Sequence, residues 1–173
     1  HRRISNVKDL TNDVIILPGV GAAGEYMHKL KDFGFDQEIV RRAKHGQKII
    51  GICLGFQLLT DYSEEDGGVK CLGIMKGSTK FIDNHQTHNG WESFHLDARE
   101  LSRNVHIKKK QKKIVSGRVY FNHELRVDLE CKPHTSKLDN GITSFAIQDN
   151  IFGFQFHPEK SQKTGQEILE LII

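Results

Sequence analysis

Two short stretches carry residue types that can do covalent chemistry together. "GICLGFQLL" (residues 51–59) places Cys53 between Gly51 and Gly55, directly after an apolar run. This is the spacing of a nucleophile elbow with sulfur in place of the usual serine oxygen. On a sharp strand-to-helix turn the nucleophile takes a strained backbone conformation, and glycines two residues to either side leave room for it. At the first turn of a helix the thiol also meets the positive end of the helix dipole, which favours the thiolate, the reactive species. "FQFHPEKS" (154–161) supplies the other half: His157 can exchange a proton with the sulfur, and Glu159 can fix the tautomer of the ring, with Pro158 stiffening the link. A third stretch, "PGVG" (18–21), is a glycine-rich turn able to aim a backbone N–H at a developing oxyanion, alongside the N–H of Leu54. Taken singly, each also reads as ordinary structure: an inert core cysteine, a hydrogen-bonded histidine, a plain turn. Their joint occurrence favours acyl-transfer chemistry at a thiol.

These residues need a scaffold, and 173 residues suffice for a single domain, 1–173, with a sizeable core. With 37% hydrophobic and 27% charged residues the composition is that of an ordinary soluble globular protein. No apolar run approaches the roughly 18 residues that span a bilayer, and no signal peptide is expected. Three cysteines, Cys53, Cys71 and Cys131, are too few and too scattered for a disulfide framework or a paired-cysteine metal site, so a reducing compartment, the cytoplasm, is expected. Formal net charge is +3, and much of the excess lies in "KKKQKK" (108–113). Nothing aromatic interleaves that run, which reads as a solvated loop; neither nucleic acid nor membrane is expected as a partner. His85 and His88, without a third ligand, read as surface residues, and no metal and no cofactor are expected.

The elements that would position the site follow from periodicity. "DVIIL" (13–17) is a buried parallel strand running into "PGVG". A helical pattern from Glu25 to about Lys44 is broken near "FGFD", where Asp36 can cap a second segment, and Gly46 supplies the stop. "KIIGI" (48–52) is the next buried strand, which makes a strand–helix–strand crossover with a parallel sheet. "LGFQLLTDY" reads as a short helix. From Gly73 the period shifts towards two in "GIMKGSTKFI", "ESFHL", "GRVYFNHEL" and "GITSFAIQDNIFGFQFH", the last with a hairpin turn at Asp149-Asn150. Ser161 can cap a terminal helix with Ile168, Leu169 and Ile172 on its apolar side. The fold class is α/β, with an antiparallel addition.

With "LPGVGA", "GICLGFQLL", "SEEDGG", "GWE", "GRVYFNH" and "FQFHPEKS" the chain resembles the class I (triad) glutamine amidotransferases, from about Val14 to its end. Among them it is most similar to the glutaminase subunits of imidazole glycerol phosphate synthases. The resemblance implies a flavodoxin-like three-layer fold with a mostly parallel central sheet flanked by helices. It implies that Cys53 attacks the side-chain amide of glutamine, that His157 protonates departing ammonia, that Glu159 orients the histidine, and that a glutamyl thioester is then hydrolysed. Backbone at Val20 and Leu54 would form the oxyanion hole. Gly19, Gly21, Gly51, Gly55 and Gln57, with His123 and Glu124, would line the glutamine site. Trp91, Tyr120 and Lys160 would face an ammonia-accepting synthase subunit of the cyclase type, docked as a heterodimer so that ammonia reaches it through a tunnel.

Three departures accompany the resemblance. The family opens with a strand and helix carrying a "DYGxGN"-like stretch that the sequence does not include. The usual "PHMGWN" stands here as "THNGWE", and the usual "HSYY" as "HELR" (123–126). Other readings therefore stay open. One is a paralogue that feeds ammonia to an N-acetyl sugar amidotransferase of surface polysaccharide biosynthesis. Another is a catalytically silent scaffold subunit, against which the intact triad argues. The last is a stand-alone γ-glutamyl hydrolase.

Overall fold

The computed structural model describes residues 2–11, 13–97, 114–130, 134–138 and 140–173. The lysine run 108–113 and Cys131 lie outside the described residues. Among those described, the first strand is β1 (Ile15–Leu17), whose β-branched residues pair in parallel with β2 (Ile49–Ile52). Between them come α1 (Ala23–Asp32) and α2 (Phe35–Lys44). Ala23, Met27 and Leu30 of α1, and Ile39 and Ala43 of α2, recur at helical spacing and are buried against the sheet. The break between the helices is made by Gly34, at φ 72°, a left-handed conformation that costs glycine little. Asp36 is therefore not the cap; α2 starts one residue before it, and Asp36 lies within its first turn.

The sheet continues from β2 to β11 (Ile151–Phe154) in parallel, then to β10 (Thr143–Gln148) and β9 (His134–Lys137) in antiparallel fashion, giving the order β1-β2-β11-β10-β9. It is thus a mixed sheet, parallel through β1, β2 and β11. All four residues of β2 and all four of β11 are buried, as central strands covered on both faces must be, whereas Ile16 of β1 is 40% exposed. Alternate residues feed two cores. Ile15, Leu17 and Ile49 join Met27, Ile39 and Phe56 on one face. Ile50, Ile52, Phe152 and Phe154 join Phe94, Phe121, Phe145 and Phe156 on the other. The hairpin between β10 and β11 turns at Asp149, at φ 54°.

The antiparallel addition comprises a second sheet, order β4-β3-β5-β8, built from β3 (Tyr62–Ser63), β4 (Val69–Lys70), β5 (Gly77–Phe81) and β8 (Leu125–Leu129). Beside it a long ribbon pairs β6 (His88–Asp97) with β7 (Ile114–His123). "GRVYFNHEL" is not one strand: the chain leaves the ribbon at His123 and enters the second sheet at Leu125, with Glu124 at the corner. The terminal helix α4 (Gln162–Ile172) packs on β7 so closely that a Cβ on Gly117 would stand 2.1 Å from Thr164 Oγ1. Its buried side is Gly165, Ile168, Leu171 and Ile172, so Leu171 takes the place expected of Leu169. Ser161 occupies the N-cap position without capping the helix, because its hydroxyl is engaged elsewhere.

Candidate active site

Cys53 sits between β2 and the single helical turn α3 (Leu54–Gln57), with φ 48° and ψ −108°. A non-glycine residue in that region is strained, and the strain is held by tight packing on either side. A Cβ on Gly51 would come within 2.7 Å of Gly55 O and the Phe56 backbone, and one on Gly55 within 2.0 Å of Leu17 O. Gly153 of β11 lies against the Phe56 ring, where a Cβ would find Cδ2 at 2.0 Å. From below, the backbone N–H of Cys53 donates to Phe154 O at 2.6 Å. The elbow is thus wedged between three strands. Since α3 is one turn long, the helix dipole expected from sequence contributes little at Cys53, and the neighbouring imidazole becomes the main source of positive charge.

That imidazole is His157, 3% exposed, carried just past the end of β11, the parallel neighbour of β2. Its Nδ1 meets Glu159 Oε1 at 2.7 Å, which leaves Nε2 for the sulfur. Hydrogen bonding with Cys53 is the largest cause, and hydrogen bonding with Glu159 the next, that together raise the ring from its ordinary 6.5 to about 9, against the opposing pull of burial. Burial pushes the Glu159 carboxyl up, but hydrogen bonds from His157 and from its own backbone N–H, with the charges of His157 and Lys160, outweigh it and hold the group below its ordinary value. Cys53, His157 and Glu159 therefore come together in that order.

Strand β7 measures out the site from the other side. Tyr120 O accepts the His157 N–H at 2.8 Å, and Asn122 O stands 3.8 Å from Cys53 Sγ. Ser161 Oγ donates to His157 O at 2.6 Å and accepts the Tyr120 N–H at 3.0 Å. On the remaining flank, Gln155 Nε2 lies 3.9 Å from the sulfur.

The "PGVG" turn abuts the elbow: a Cβ on Gly19 would fall 2.6 Å from Ile52 O and 2.7 Å from the Cys53 Cβ. Val20 is 70% exposed above it, and Gly21 has φ 102°. Leu54, first residue of α3, has an N–H without an intrahelical acceptor. Gln57 is buried, its Nε2 donating to Leu125 O at 3.1 Å. His123, expected at the glutamine site, is 6% exposed, and both its ring nitrogens have protein partners, Leu125 O at 2.7 Å and His88 Nδ1 at 3.0 Å. Glu124 is exposed, accepting from Thr87 Oγ1 at 3.4 Å. Trp91, Tyr120 and Lys160 form one patch. The two rings are 5.6 Å apart across the β6–β7 register, and Lys160 Nζ lies 5.8 Å from the Tyr120 centroid. Of the two histidines considered as metal ligands, His85 lies against Phe81 with the rings tilted and 4.3 Å apart, and His88 bonds His123.

Sequence reading missed Glu65 and Asp66, in a 3-10 turn (Glu65–Gly67), which accept the Ala23 and Gly24 N–H groups at 3.0 and 2.9 Å and so cap α1 directly after the "PGVG" turn. The sequence shows only that a cap is wanted, not where it comes from. Ala22, at the N-cap position, has no side-chain acceptor, so the orphan N–H groups of α1 needed a distant one.

This fold, with a cysteine, a histidine and a glutamate joined at the end of its central strands, is that of a triad amidotransferase, and the chain belongs to the class I glutamine amidotransferases, whose family model ("Glutamine amidotransferase class-I") matches residues 2–173. It is 37% identical over 169 residues to "Imidazole glycerol phosphate synthase subunit HisH" of Aquifex aeolicus (strain VF5), covering 91% of this chain and 75% of the relative. The subunit of the same name from Bacillus subtilis (strain 168) is 35% identical over 170 residues, covering 91% and 76%. Among solved structures, "Structure of PurLQS from Thermotoga maritima" superposes with a TM-score of 0.66 at 20% identity, over 92% of this chain and 78% of that one. A "Crystal structure of glutamine amidotransferase" superposes at 0.64 and 15% identity, over 91% and 77%. These two likenesses speak for the fold alone.

Proposed function

We propose that Cys53, His157 and Glu159 hydrolyse glutamine to glutamate and ammonia, and that the ammonia passes to a cyclase-type synthase subunit in a cytoplasmic heterodimer of the imidazole glycerol phosphate synthase kind. The Cys53 thiolate attacks the side-chain carbonyl carbon, forming a C–S bond and an oxyanion, which accepts from the N–H of Leu54 and, once the "PGVG" turn is suitably oriented, from a backbone N–H at Val20. The His157 imidazolium gives its Nε2 proton to the amide nitrogen, the C–N bond breaks, and ammonia leaves a glutamyl thioester and a neutral imidazole. Water then attacks the thioester, giving its proton to His157. Glutamate departs, and the thiolate–imidazolium pair is restored. Glu159 holds the ring in one tautomer throughout and favours its charged form.

The observation that supports this reading most is the His157 ring held between a buried sulfur and a carboxylate 2.7 Å from Nδ1, its pKa raised to about 9 and hence charged when a proton must be delivered. Trp91, Tyr120 and Lys160, together on one side of His157, suit a docked acceptor. Gly19 and Gly21 flank Val20 in a turn whose peptide can reorient at little steric cost. Hydrolysis therefore waits for the partner: the full-length protein alone turns over glutamine slowly, and the cyclase with its acceptor substrate raises the rate by about two orders of magnitude, the size of one gained oxyanion donor. The test is glutamate release by the full-length protein alone, with the cyclase, and with an N-acetyl sugar amidotransferase. Stimulation only by the last moves the partner assignment to the sugar enzyme. Full activity without any partner contradicts the coupled reading.

A further inference from the structure

Behind the triad runs a chain of hydrogen bonds that no step of the hydrolysis uses. Leu125 O accepts from Gln57 Nε2 at 3.1 Å and from His123 Nδ1 at 2.7 Å. A carbonyl oxygen only accepts, so His123 must carry its proton on Nδ1. Burial is the largest cause that lowers the pKa of this ring, to about 4, so it stays neutral and its Nε2 is a bare lone pair. That lone pair faces His88 Nδ1 at 3.0 Å, which must donate. His88 is stacked on Phe121, with centroids 4.5 Å apart, and its Nε2 lies 3.4 Å from Glu92 Oε1 at the rim of the β6–β7 ribbon. At the other end, the Gln57 N–H donates to Cys53 O at 3.1 Å, so Gln57 is tied into the turn that presents the nucleophile.

Gln57 has two chemically opposite ends, and either could face a substrate. We propose that His123, its proton held on Nδ1 by the Leu125 carbonyl and its Nε2 paired with His88, is a positioning residue that fixes that carbonyl and so turns the acceptor end of the Gln57 amide towards the glutamine site. Once Nε2 is committed to Leu125 O, the amide oxygen is the end that can meet a ligand, and it suits the N–H groups of glutamine, its ammonium and its side-chain amide, over a carboxylate. Without the His123 donor the carbonyl can shift and Gln57 can turn. The wall would then offer an N–H where an acceptor is needed. The inference rests on the glutaminase reading for the identity of the ligand, and on the hydrogen bonds alone for the orientation of Gln57.

Two measurements on the full-length protein test it separately. In 15N NMR of the histidine side chains, His123 should be protonated at Nδ1 and bare at Nε2; the opposite tautomer overturns the proposal. In steady-state assays with the synthase partner and its acceptor, His123→Leu should raise KM for glutamine about five- to tenfold, the size of one lost hydrogen bond, with kcat changed less. His123→Gln, whose amide reaches the position of Nε2 but not of Nδ1, should behave like His123→Leu. His123→Asn, which restores a donor near Nδ1, should recover most of the lost affinity. Equal KM values in all three variants, or a uniform fall in kcat with no rescue by asparagine, overturn the proposal. If the wild-type complex releases no glutamate while NMR gives the Nδ1 tautomer, the glutaminase reading falls and the orientation of Gln57 stands.

Discussion

The backbone of His157 is bonded to the backbone of Tyr120: the His157 N–H donates to Tyr120 O at 2.8 Å, an isolated bridge between the loop that carries His157 and the strand that borders Cys53. His157 is thus positioned by β7 as well as by its own strand. Because Asn122, two residues along β7, places its carbonyl near Cys53 Sγ, the same strand borders both His157 and Cys53.

Ser161 completes that bridge, and its removal should be felt at the site. The side chain is 1% exposed, and its hydroxyl satisfies the Tyr120 N–H and the His157 carbonyl together. Ser161→Ala should cost about 1 kcal/mol of stability, because it leaves the part-buried Tyr120 N–H without its partner. It should also lower kcat for glutamine more than it raises KM. Chemical denaturation and steady-state kinetics on the same sample check both.

The raised His157 pKa gives the pH dependence a definite sign. In the proposed hydrolysis the protonated ring is the proton donor, so activity should decline as pH rises through about 9. A group whose folded pKa lies above its unfolded one stabilises the fold fully below the unfolded value, here about 6.5, and loses that contribution as pH rises through about 9. NMR titration of His157 should give a midpoint near 9, and Cys53→Ala, which removes the largest cause, should lower it. An unchanged midpoint in that variant would show that the sulfur does not hold the ring.

Gly55 should tolerate no side chain. A Cβ there would lie 2.0 Å from Leu17 O, a backbone atom of a paired strand that cannot swing aside. Gly55→Ala should destabilise the protein by about 3 kcal/mol, the upper end of ordinary overpacking, and displace the turn that presents Cys53. A thermal melt within a degree or two of wild type would contradict the packing described.

Much of this site was legible in sequence because its parts are local patterns. Gly51, Cys53 and Gly55 announce a tight turn by spacing alone, and His157 with Glu159 spans two residues. The strand–helix–strand order placed β1 beside β2 for the same reason. What stayed hidden depends on tertiary register. Nothing in "FQFHPEKS" says that its strand lies parallel to β2, which is what brings His157 to Cys53. Ser161 had the type and position of a helix cap, yet tertiary bonds to Tyr120 and His157 claimed its hydroxyl. His123 is placed at the glutamine site by the resemblance alone; only the pairing of His88 with His123 across β6 and β7, with Leu125 O on the other nitrogen, shows that its ring is occupied within the protein. Glu65 and Asp66 act across 42 residues, beyond any local window.

Every step of the proposed hydrolysis depends on Cys53 as the nucleophile. The most direct measurement is mass spectrometry of the full-length protein with its synthase partner and acceptor, after treatment with an electrophilic glutamine analogue that traps the attacking thiol. One adduct per chain, on Cys53, is expected, with glutamate release lost in proportion. Cys53→Ala should take up none while staying folded and docked, its glutamine hydrolysis falling by about four orders of magnitude or more. Cys71, buried and with its thiol pushed up to about 12 chiefly by that burial, should remain unmodified. Labelling of Cys71 or Cys131 in preference to Cys53, or substantial hydrolysis by Cys53→Ala, would contradict the account.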